Sequence, residues 1–195
     1  MATTIALQST AGTNAPYKLG SPPDFGTLYS GRALEFDGVT DYVSNTSFTG
    51  HQSSTGTLSC WGNPSDVSGW QYFVSLGGST TTGATRGIAL SDANLYFIGY
   101  SENWDTTVDL TADTWYHLAL TWDGTSIIMY VNGVGYSQTM SNLVTPTNSI
   151  MDIGASAWSN ANFLNGKITN VQVWDKVWSE SDVQYAYTHP EKLIT

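Results

Sequence analysis

The sequence predicts an all-β protein, an antiparallel sandwich or barrel, with one short helix near its carboxyl end. Short runs of strand-forming residues recur at close spacing between turns rich in Gly, Asn and Ser, which is typical of such folds. The composition agrees, because Gly, Trp and Tyr are frequent and only 11% of residues are charged. A strong hairpin signal lies within residues 114–133.

That hairpin consists of two runs of β-branched, aromatic and aliphatic residues on either side of Asp123-Gly124. The dipeptide tolerates the positive φ angles of a two-residue turn. With those two residues in the turn, Leu120 faces Ile127, on an apolar face that a second sheet must cover. Asn132-Gly133 is a second turn signal, so the segment is a β-meander.

The other predicted elements precede and follow this meander. The strands are Ala33–Phe36, Tyr42–Asn45, Thr57–Trp61, Trp70–Leu76, Gly87–Ser91, Asn94–Tyr100, Thr106–Leu110, Gly135–Met140, Ser149–Ile153 and Gly166–Trp174. Ser179 to Asp182 form a capping-box-like start to a helix that continues through residues 183–187. No repeat or linker divides residues 31–195, so we predict one domain of a size that buries roughly 70% of its unfolded surface.

Residues 1–30 are rich in Thr, Ala, Gly and Pro and show no sustained periodicity. We predict an extended amino-terminal arm that packs against its own domain or against a neighbouring subunit. The arm has no basic region of the kind that begins a secretory signal peptide. Either a signal has been removed, or the protein is made in a cytosol. The single cysteine, Cys60, favours the second option, because it cannot form an internal disulfide.

The charge of the chain excludes two classes of partner. The formal net charge is −10, and the six Lys and Arg residues form no cluster. Such a surface repels phosphate backbones and anionic lipids, so we expect neither nucleic-acid binding nor membrane insertion.

A series of motifs marks a family resemblance. The motifs are Arg32-Ala33-Leu34-Glu35-Phe36 with Asp41-Tyr42-Val43, Thr57-Leu58-Ser59-Cys60-Trp61 with Pro64, Trp115-Tyr116-His117-Leu118-Ala119, Tyr130-Val131-Asn132-Gly133, Ile153-Gly154, and residues 166–175 followed by 179–183. In order and spacing they resemble the laminin-G-like and pentraxin branch of the concanavalin A-like jelly rolls, over roughly residues 31–188. The resemblance implies a two-sheet antiparallel jelly-roll sandwich.

Two features that the resemblance implies are not matched. The cysteine that would pair with Cys60 is replaced by Ala119. The positions that match the calcium-binding loops of pentraxins are Thr85, Arg86, Ser156, Ala157 and Trp158, and none is a carboxylate. Hard cations need several oxygen ligands with net negative charge, so we predict no metal and no other cofactor.

Some laminin-G-like domains bind calcium elsewhere on the rim, where Asp37, Asp41 and Asp105 are possible donors. An Asp beside a turn more often forms the turn, and Asp37-Gly38 is typical of a hairpin turn.

The run from Glu35 to Thr40 bears on whether the protein is a glycosidase, because some enzymes of this fold carry three carboxylates in an E-x-D-x-x-E strand. Here Thr40 follows Glu35 and Asp37 in the third position, so we predict no catalytic residues.

The three histidines do not form a catalytic group in the sequence. His117 lies opposite Tyr130 in the predicted hairpin, and we expect a hydrogen-bonded packing role for it. His51 and His189 are expected to be solvated. Cys60 alternates with core positions and is expected to be a small buried hydrophobic residue.

Aromatic residues in loops are the remaining candidates for a site. The predicted ligand-binding residues are Trp70, Trp104, Trp158, Asn103, Asp105 and Asn160. Indole rings stack on the C–H faces of sugars, while Asn and Asp bond the hydroxyls, so these residues suit a lectin-like site. The alternative is that these tryptophans cap the sandwich or pack against a subunit. Core packing is expected for Trp61, Trp115, Trp122 and Trp174.

Three functions remain open. The first is a non-enzymatic structural or adhesion subunit of a larger assembly, such as a phage or virus particle, with a glycan as a possible ligand. Its partners would be other copies of the chain or coat proteins that the amino-terminal arm contacts, and its location a virion or an extracellular surface. The second is a secreted or cell-surface carbohydrate-binding module, and the third is a remote glycoside hydrolase.

Overall fold

The computed structural model describes residues 33–190, which form twelve strands and one helix. In chain order these are β1 (Leu34–Asp37), β2 (Val43–Asn45), β3 (Thr55–Pro64), β4 (Trp70–Leu76), β5 (Arg86–Ser91), β6 (Asn94–Ile98), β7 (Trp104–Asp109), β8 (Tyr116–Asp123), β9 (Ser126–Val131), β10 (Val134–Thr139), β11 (Met151–Ile153), β12 (Asn165–Trp174) and α1 (Glu180–Thr188). Every predicted strand is present, with its ends within three residues of the prediction. The predicted arm, residues 1–30, lies outside the described residues.

The strands form two six-stranded sheets, as a jelly-roll sandwich requires. The first sheet has the order β1-β12-β3-β8-β9-β10, and the second has the order β2-β11-β4-β5-β6-β7. All neighbouring strands are antiparallel. The predicted fold class is therefore confirmed, and of the two architectures that the strand pattern allowed, the structure is the sandwich.

The core lies between the two sheets and is formed by alternate residues of their strands. Its buried side chains include Leu58, Leu118, Leu120, Trp122 and Met129 from the first sheet, and Phe73, Ile88, Leu90, Leu95 and Phe97 from the second. Because successive side chains of a strand point to opposite faces, the residues between them lie on the outer faces of the sandwich. Cys60 belongs to the core, as predicted, and desolvation raises the pKa of its thiol to about 12.

The register of the central hairpin differs from the prediction by two residues. Gly124 and Thr125 form the loop, Asp123 pairs with Ser126, and Leu120 faces Met129. Gly124, at the first loop position, has the positive φ of 59° that this residue tolerates without strain. A shift of two leaves every side chain on its predicted face, so the apolar face is the expected one.

The turn at Asp37-Gly38 is not a hairpin, because β1 and β2 belong to different sheets. Oδ1 of Asp37 accepts hydrogen bonds from the backbone N–H groups of Val39, Thr40 and Asp41 at 2.8, 2.8 and 3.0 Å. These bonds, that of Thr40 above all, hold the pKa of the Asp37 carboxyl far below its usual range. Asp37 therefore forms the turn that carries the chain from one sheet to the other.

Helix α1 covers part of the outer face of the first sheet. Ser179 caps it, since its Oγ accepts from the N–H of Asp182 at 3.2 Å while Oδ2 of Asp182 accepts from the N–H of Ser179 at 2.8 Å. The buried cluster at this contact consists of Val183 and Ala186 of α1 with Ala119, Tyr130 and Trp178. Within residues 33–190, no helix is long and apolar enough to span a membrane.

His117 lies on this covered face and is fully packed. Its Nε2 is 3.0 Å from Oγ of Ser59, and its ring lies 5.4 Å from that of Trp61. Desolvation lowers the pKa of the imidazole to about 3. The expected packing role of His117 is confirmed, although the shift of register places Asn132 opposite it instead of Tyr130.

Candidate ligand-binding face

The outer face of the second sheet carries a group of five aromatic side chains, which we call the aromatic layer. They are Trp70, Tyr72, Tyr96, Tyr100 and Trp158. Strand register explains half of the layer, because Tyr72 of β4 and Tyr96 of β6 both pair with Ala89 of β5. Ala89 is small and fully buried, so the larger side chains of the neighbouring strands close over it. The rings of Trp70 and Tyr96 meet in this way, with centroids 4.8 Å apart.

Trp158 closes the other half of the layer from the loop between β11 and β12. Its ring meets Tyr72 edge-on at 5.3 Å and Tyr100 edge-on at 5.6 Å. Edge-to-face geometry is the favoured arrangement of aromatic pairs. Trp158 also packs against the buried cluster of Tyr72, Ala89 and Ile98. It therefore has a structural role in the layer and retains only part of its surface for a ligand.

Trp70 is the most exposed member of the layer. It retains 40% of its accessible surface, whereas Tyr72 retains 3%. The backbone beside it is held in place, since the N–H of Gly69 donates to Oδ1 of Asp92 at 2.9 Å. The N–H of Ala93 likewise donates to the carbonyl of Val67 at 2.8 Å. The result is a large, partly exposed indole on a rigid strand end.

Polar groups border this indole. The hydroxyl of Tyr96 donates to Oδ2 of Asp105 at 2.9 Å, and the N–H of Thr107 donates to Oδ1 of Asp105 at 2.7 Å. The hydrogen bond to Asp105 raises the pKa of Tyr96. Farther along the same face, Asn94 pairs with Asp109. An apolar ring bordered by fixed hydroxyl, amide and carboxylate groups suits a ligand that has both C–H faces and hydroxyls.

The structure brings three of the six predicted binding residues to this face: Trp70, Asp105 and Trp158. Trp104 lies elsewhere, because it is the first residue of β7, pairs with Phe97 and packs against the core. Asn103 accepts a hydrogen bond from the N–H of Gly99 at 3.2 Å and so shapes the turn before β7. Asn160 is exposed in the β11–β12 loop, where its N–H donates to the carbonyl of Ser156.

Tyr72, Tyr96 and Tyr100 join the site without having been predicted. Tyr72 and Tyr96 lie inside strands, where an aromatic residue is usually a core residue. The available signal for Tyr96 was its alternation with the core residues Leu95 and Phe97, which places it on the opposite face.

The positions that the resemblance matched to calcium loops contain a buried arginine. Arg86 donates from Nη1 to the carbonyls of Gly83 and Thr85, both at 2.8 Å, and from Nη2 to that of Val144 at 3.0 Å. Burial lowers the pKa of its guanidinium to about 10. The guanidinium thus bonds three backbone carbonyls at these positions. Among residues 33–190, no three His, Cys, Asp or Glu side chains converge into a possible metal site.

The carboxylate run at β1 lies apart from the aromatic layer. Glu35 is exposed, with an oxygen 4.0 Å from Nζ of Lys167, and the hydroxyl of Thr40 donates to Oδ2 of Asp37 at 3.1 Å. His51, which was expected to be solvated, is instead fully buried. Its Nε2 lies 2.9 Å from the carbonyl of Asn148, and desolvation lowers its pKa to about 4.

Comparison with known proteins gives the family and the fold. A family model described as the concanavalin A-like lectin/glucanases superfamily matches residues 37–184. No curated protein matches the sequence. A heptameric SAP-like pentraxin from Limulus polyphemus is similar in structure at a TM-score of 0.61 and 16% identity, over 78% of this chain and 80% of the pentraxin.

Two further structures match with different coverage. Domain 4 of AbnA, a GH43 extracellular arabinanase from Geobacillus stearothermophilus solved with arabinotriose, gives a TM-score of 0.55 at 21% identity, over 68% of this chain and 66% of that one. A Trypanosoma rangeli sialidase gives 0.63 at 15% identity, over 82% of this chain. The match spans only 28% of the sialidase chain. At these identities the comparisons show a shared fold.

Proposed function

Because the chain belongs to the concanavalin A-like lectin/glucanases superfamily, we propose that it is a non-catalytic, lectin-like subunit that binds saccharide on the aromatic layer. The observation that carries this proposal is the partly exposed ring of Trp70, packed at 4.8 Å against Tyr96, whose hydroxyl is held by Asp105. A pyranose or furanose ring can stack its C–H face on the indole while its hydroxyls bond the neighbouring polar groups.

The rigidity of the layer favours binding. Each aromatic ring contacts at least one other, and the strand end at Trp70 is fixed by backbone hydrogen bonds. A preformed surface loses little conformational entropy when a ligand binds. The arabinanase domain, which shares the fold, was solved with arabinotriose, and this neutral trisaccharide is therefore a reasonable first probe.

The decisive variant is Trp70→Ala, with Tyr185→Ala as its matched control. Tyr185 is an aromatic residue of α1 with 41% exposure, close to that of Trp70, and α1 covers the other sheet. Binding should be found by glycan-array screening, beginning with arabinotriose, and quantified by calorimetry. We expect Trp70→Ala to weaken binding at least tenfold, which is about 1.4 kcal/mol. Unchanged affinity in Trp70→Ala, or an equal loss in Tyr185→Ala, would remove the basis for the proposal.

The absence of catalysis is part of the proposal and has its own test. Incubation of the protein with each bound glycan should give no cleavage products. Hydrolysis that disappears in Glu35→Gln would instead support the glycosidase alternative, and it would assign a role to the carboxylate beside Lys167.

We also propose that the subunit is part of a larger assembly, such as a phage or virus particle. Four exposed apolar side chains, Leu34, Val39, Tyr42 and Val43, lie on or beside the short edge strands β1 and β2. Edge strands and exposed apolar groups are sites where another chain can pair or pack. Mass photometry of the full chain should show an oligomer that Val39→Asp dissociates. A strictly monomeric protein would oppose self-assembly and favour the secreted-module alternative.

A further inference from the structure

We infer that the aromatic layer selects uncharged saccharides and excludes acidic ones, because fixed carboxylates border Trp70 while the described basic side chains lie elsewhere. The inference rests on the proposed saccharide site and adds the class of its ligand. Uronic acids, sialic acids and sulfated sugars are the glycans that it excludes.

Two carboxylates lie beside the exposed indole, and a third lies farther along the same face. Asp105 is oriented by the hydroxyl of Tyr96 and by the N–H of Thr107. Asp92 lies in the β5–β6 turn, and its Oδ1 accepts a hydrogen bond from the N–H of Gly69, the residue before Trp70. Asp109 is exposed and pairs with Asn94 on the same face. Ionised carboxylates only accept hydrogen bonds, so they favour the hydroxyls of a neutral sugar and repel a second anion.

The basic side chains between residues 33 and 190 are Arg86, Lys167 and Lys176, and each is engaged elsewhere. Arg86 is buried beside Trp122 of the core. Lys167 lies on the first sheet, 4.0 Å from Glu35, and Lys176 lies 4.0 Å from Asp182 of α1. Proteins recognise anionic groups mainly with Arg or Lys, which form charge-assisted hydrogen bonds. The described part of this face offers an acidic sugar no such partner.

The size of the discrimination follows from Coulomb's law. Two like charges a few ångströms apart in water repel by an amount that weakens binding about two- to fivefold per pair. With two or more carboxylates near the ligand, we expect acidic sugars to bind about tenfold more weakly than neutral ones. The net charge of −10 acts in the same direction. Because salt screens exposed charges, the preference should decrease as ionic strength rises.

The test uses matched ligands that differ only at C6, where the acidic form carries a carboxylate in place of the hydroxymethyl group. Maltotriose, galactotriose and mannotriose are each compared with the trimer in which C6 is oxidised to a carboxylate, by calorimetry at low and high salt. We expect every neutral trimer that binds to bind at least tenfold more tightly than its acidic partner at low salt. The double variant Asp92→Asn/Asp109→Asn should narrow this ratio several-fold.

A control variant removes the same amount of charge elsewhere. Asp123→Asn/Glu180→Gln neutralises exposed carboxylates of the β8–β9 hairpin and of α1, and it should leave the ratio nearly unchanged. An acidic trimer that binds as tightly as its neutral partner, and loses this binding in Trp70→Ala, would overturn the inference while leaving the saccharide site intact. Equal ratios in the two double variants would overturn it as well. If no trimer or array glycan binds, or if binding survives Trp70→Ala, the proposed function itself fails and the inference fails with it.

Discussion

Asp152 gives the sharpest prediction about stability, because its carboxylate is buried without a hydrogen-bond partner in the described part of the chain. It lies at the centre of β11, where Ser44 and Ser75 flank it on the neighbouring strands. The residue is fully buried, and neither oxygen has a hydrogen-bond partner among the described residues. Desolvation raises the pKa of this carboxyl, and an interaction with the nearby Ser44 hydroxyl offsets only part of that effect.

The perturbation is Asp152→Asn, which keeps the shape of the side chain and removes its charge. A buried polar group without a partner costs about 1–3 kcal/mol, and a charged one costs more. The amide of Asn can also donate to the neighbouring serine oxygens, among them Oγ of Ser75, which has no hydrogen-bond partner within residues 33–190. We therefore expect the free energy of unfolding at pH 7 to rise by about 1–3 kcal/mol.

The pH dependence identifies the cause. The folded-state pKa of Asp152 is raised above the unfolded value of about 3.9. Below about pH 4 the carboxyl is protonated in both states, so burying it carries no charge penalty in the wild-type protein. The penalty grows as the pH rises from there through the folded-state pKa. The advantage of Asp152→Asn should therefore be small at pH 3.5 and reach its full size near neutral pH.

Urea denaturation at several pH values measures this difference. Asp109→Asn is the control, since that carboxylate is exposed and its replacement should change stability by less than about 0.5 kcal/mol. A loss of stability in Asp152→Asn at pH 7, or a gain that is the same at every pH, would refute the idea that an unpaired buried carboxylate destabilises the wild-type protein.

Two further predictions concern buried histidine and glycine. The buried imidazole of His117 has a pKa of about 3 and should stay neutral down to about pH 4. Because this folded-state pKa lies below the unfolded value of about 6.5, the free energy of unfolding should fall as the pH drops below 6.5. An NMR titration of the ring with a midpoint near pH 6 would contradict this prediction. Gly83→Ala should lower the free energy of unfolding by about 3 kcal/mol, since Gly83 has a φ of 74° and an added Cβ would collide with the backbone oxygen of Asn142. Gly124 has a φ of 59° and open space around it, so Gly124→Ala should lower it by about 1 kcal/mol in the same urea denaturation assay.

The alternation of residues made the sandwich predictable, and the central hairpin shows where that information ends. Both Asp123-Gly124 and Gly124-Thr125 place Gly124 in a two-residue loop. They also leave Leu120 on the same face, because the two registers differ by two residues. An apolar pattern of period two cannot distinguish such registers. The choice depends on cross-strand packing, which brings Met129 opposite Leu120.

The site was predictable where its residues lie in loops or at strand ends beside turns. Trp70 and Trp158 stood out because they are aromatic residues among Ser, Gly and Asn. Tyr72 and Tyr96 did not, since only their common pairing with Ala89 shows that they share one face of the sheet. His51 is a similar case: its burial depends on the carbonyl of Asn148, 97 residues farther along the chain.

The two outer faces of the sandwich explain why the site lies where it does. The first sheet buries part of its outer face under α1, with Val183 and Ala186 packed over Ala119. In the described part of the chain the second sheet has no covering helix, yet Ala89 at its centre is fully buried. Its own aromatic side chains provide that cover. A layer of rings lying on a sheet buries its inner members and leaves the outermost partly exposed, and Trp70 is that outermost ring. Truncation of Tyr72 would open the cluster over Ala89 and should therefore lower mainly the stability of the protein. Truncation of Trp70 removes mainly the surface that a sugar would contact and should therefore lower mainly the binding affinity.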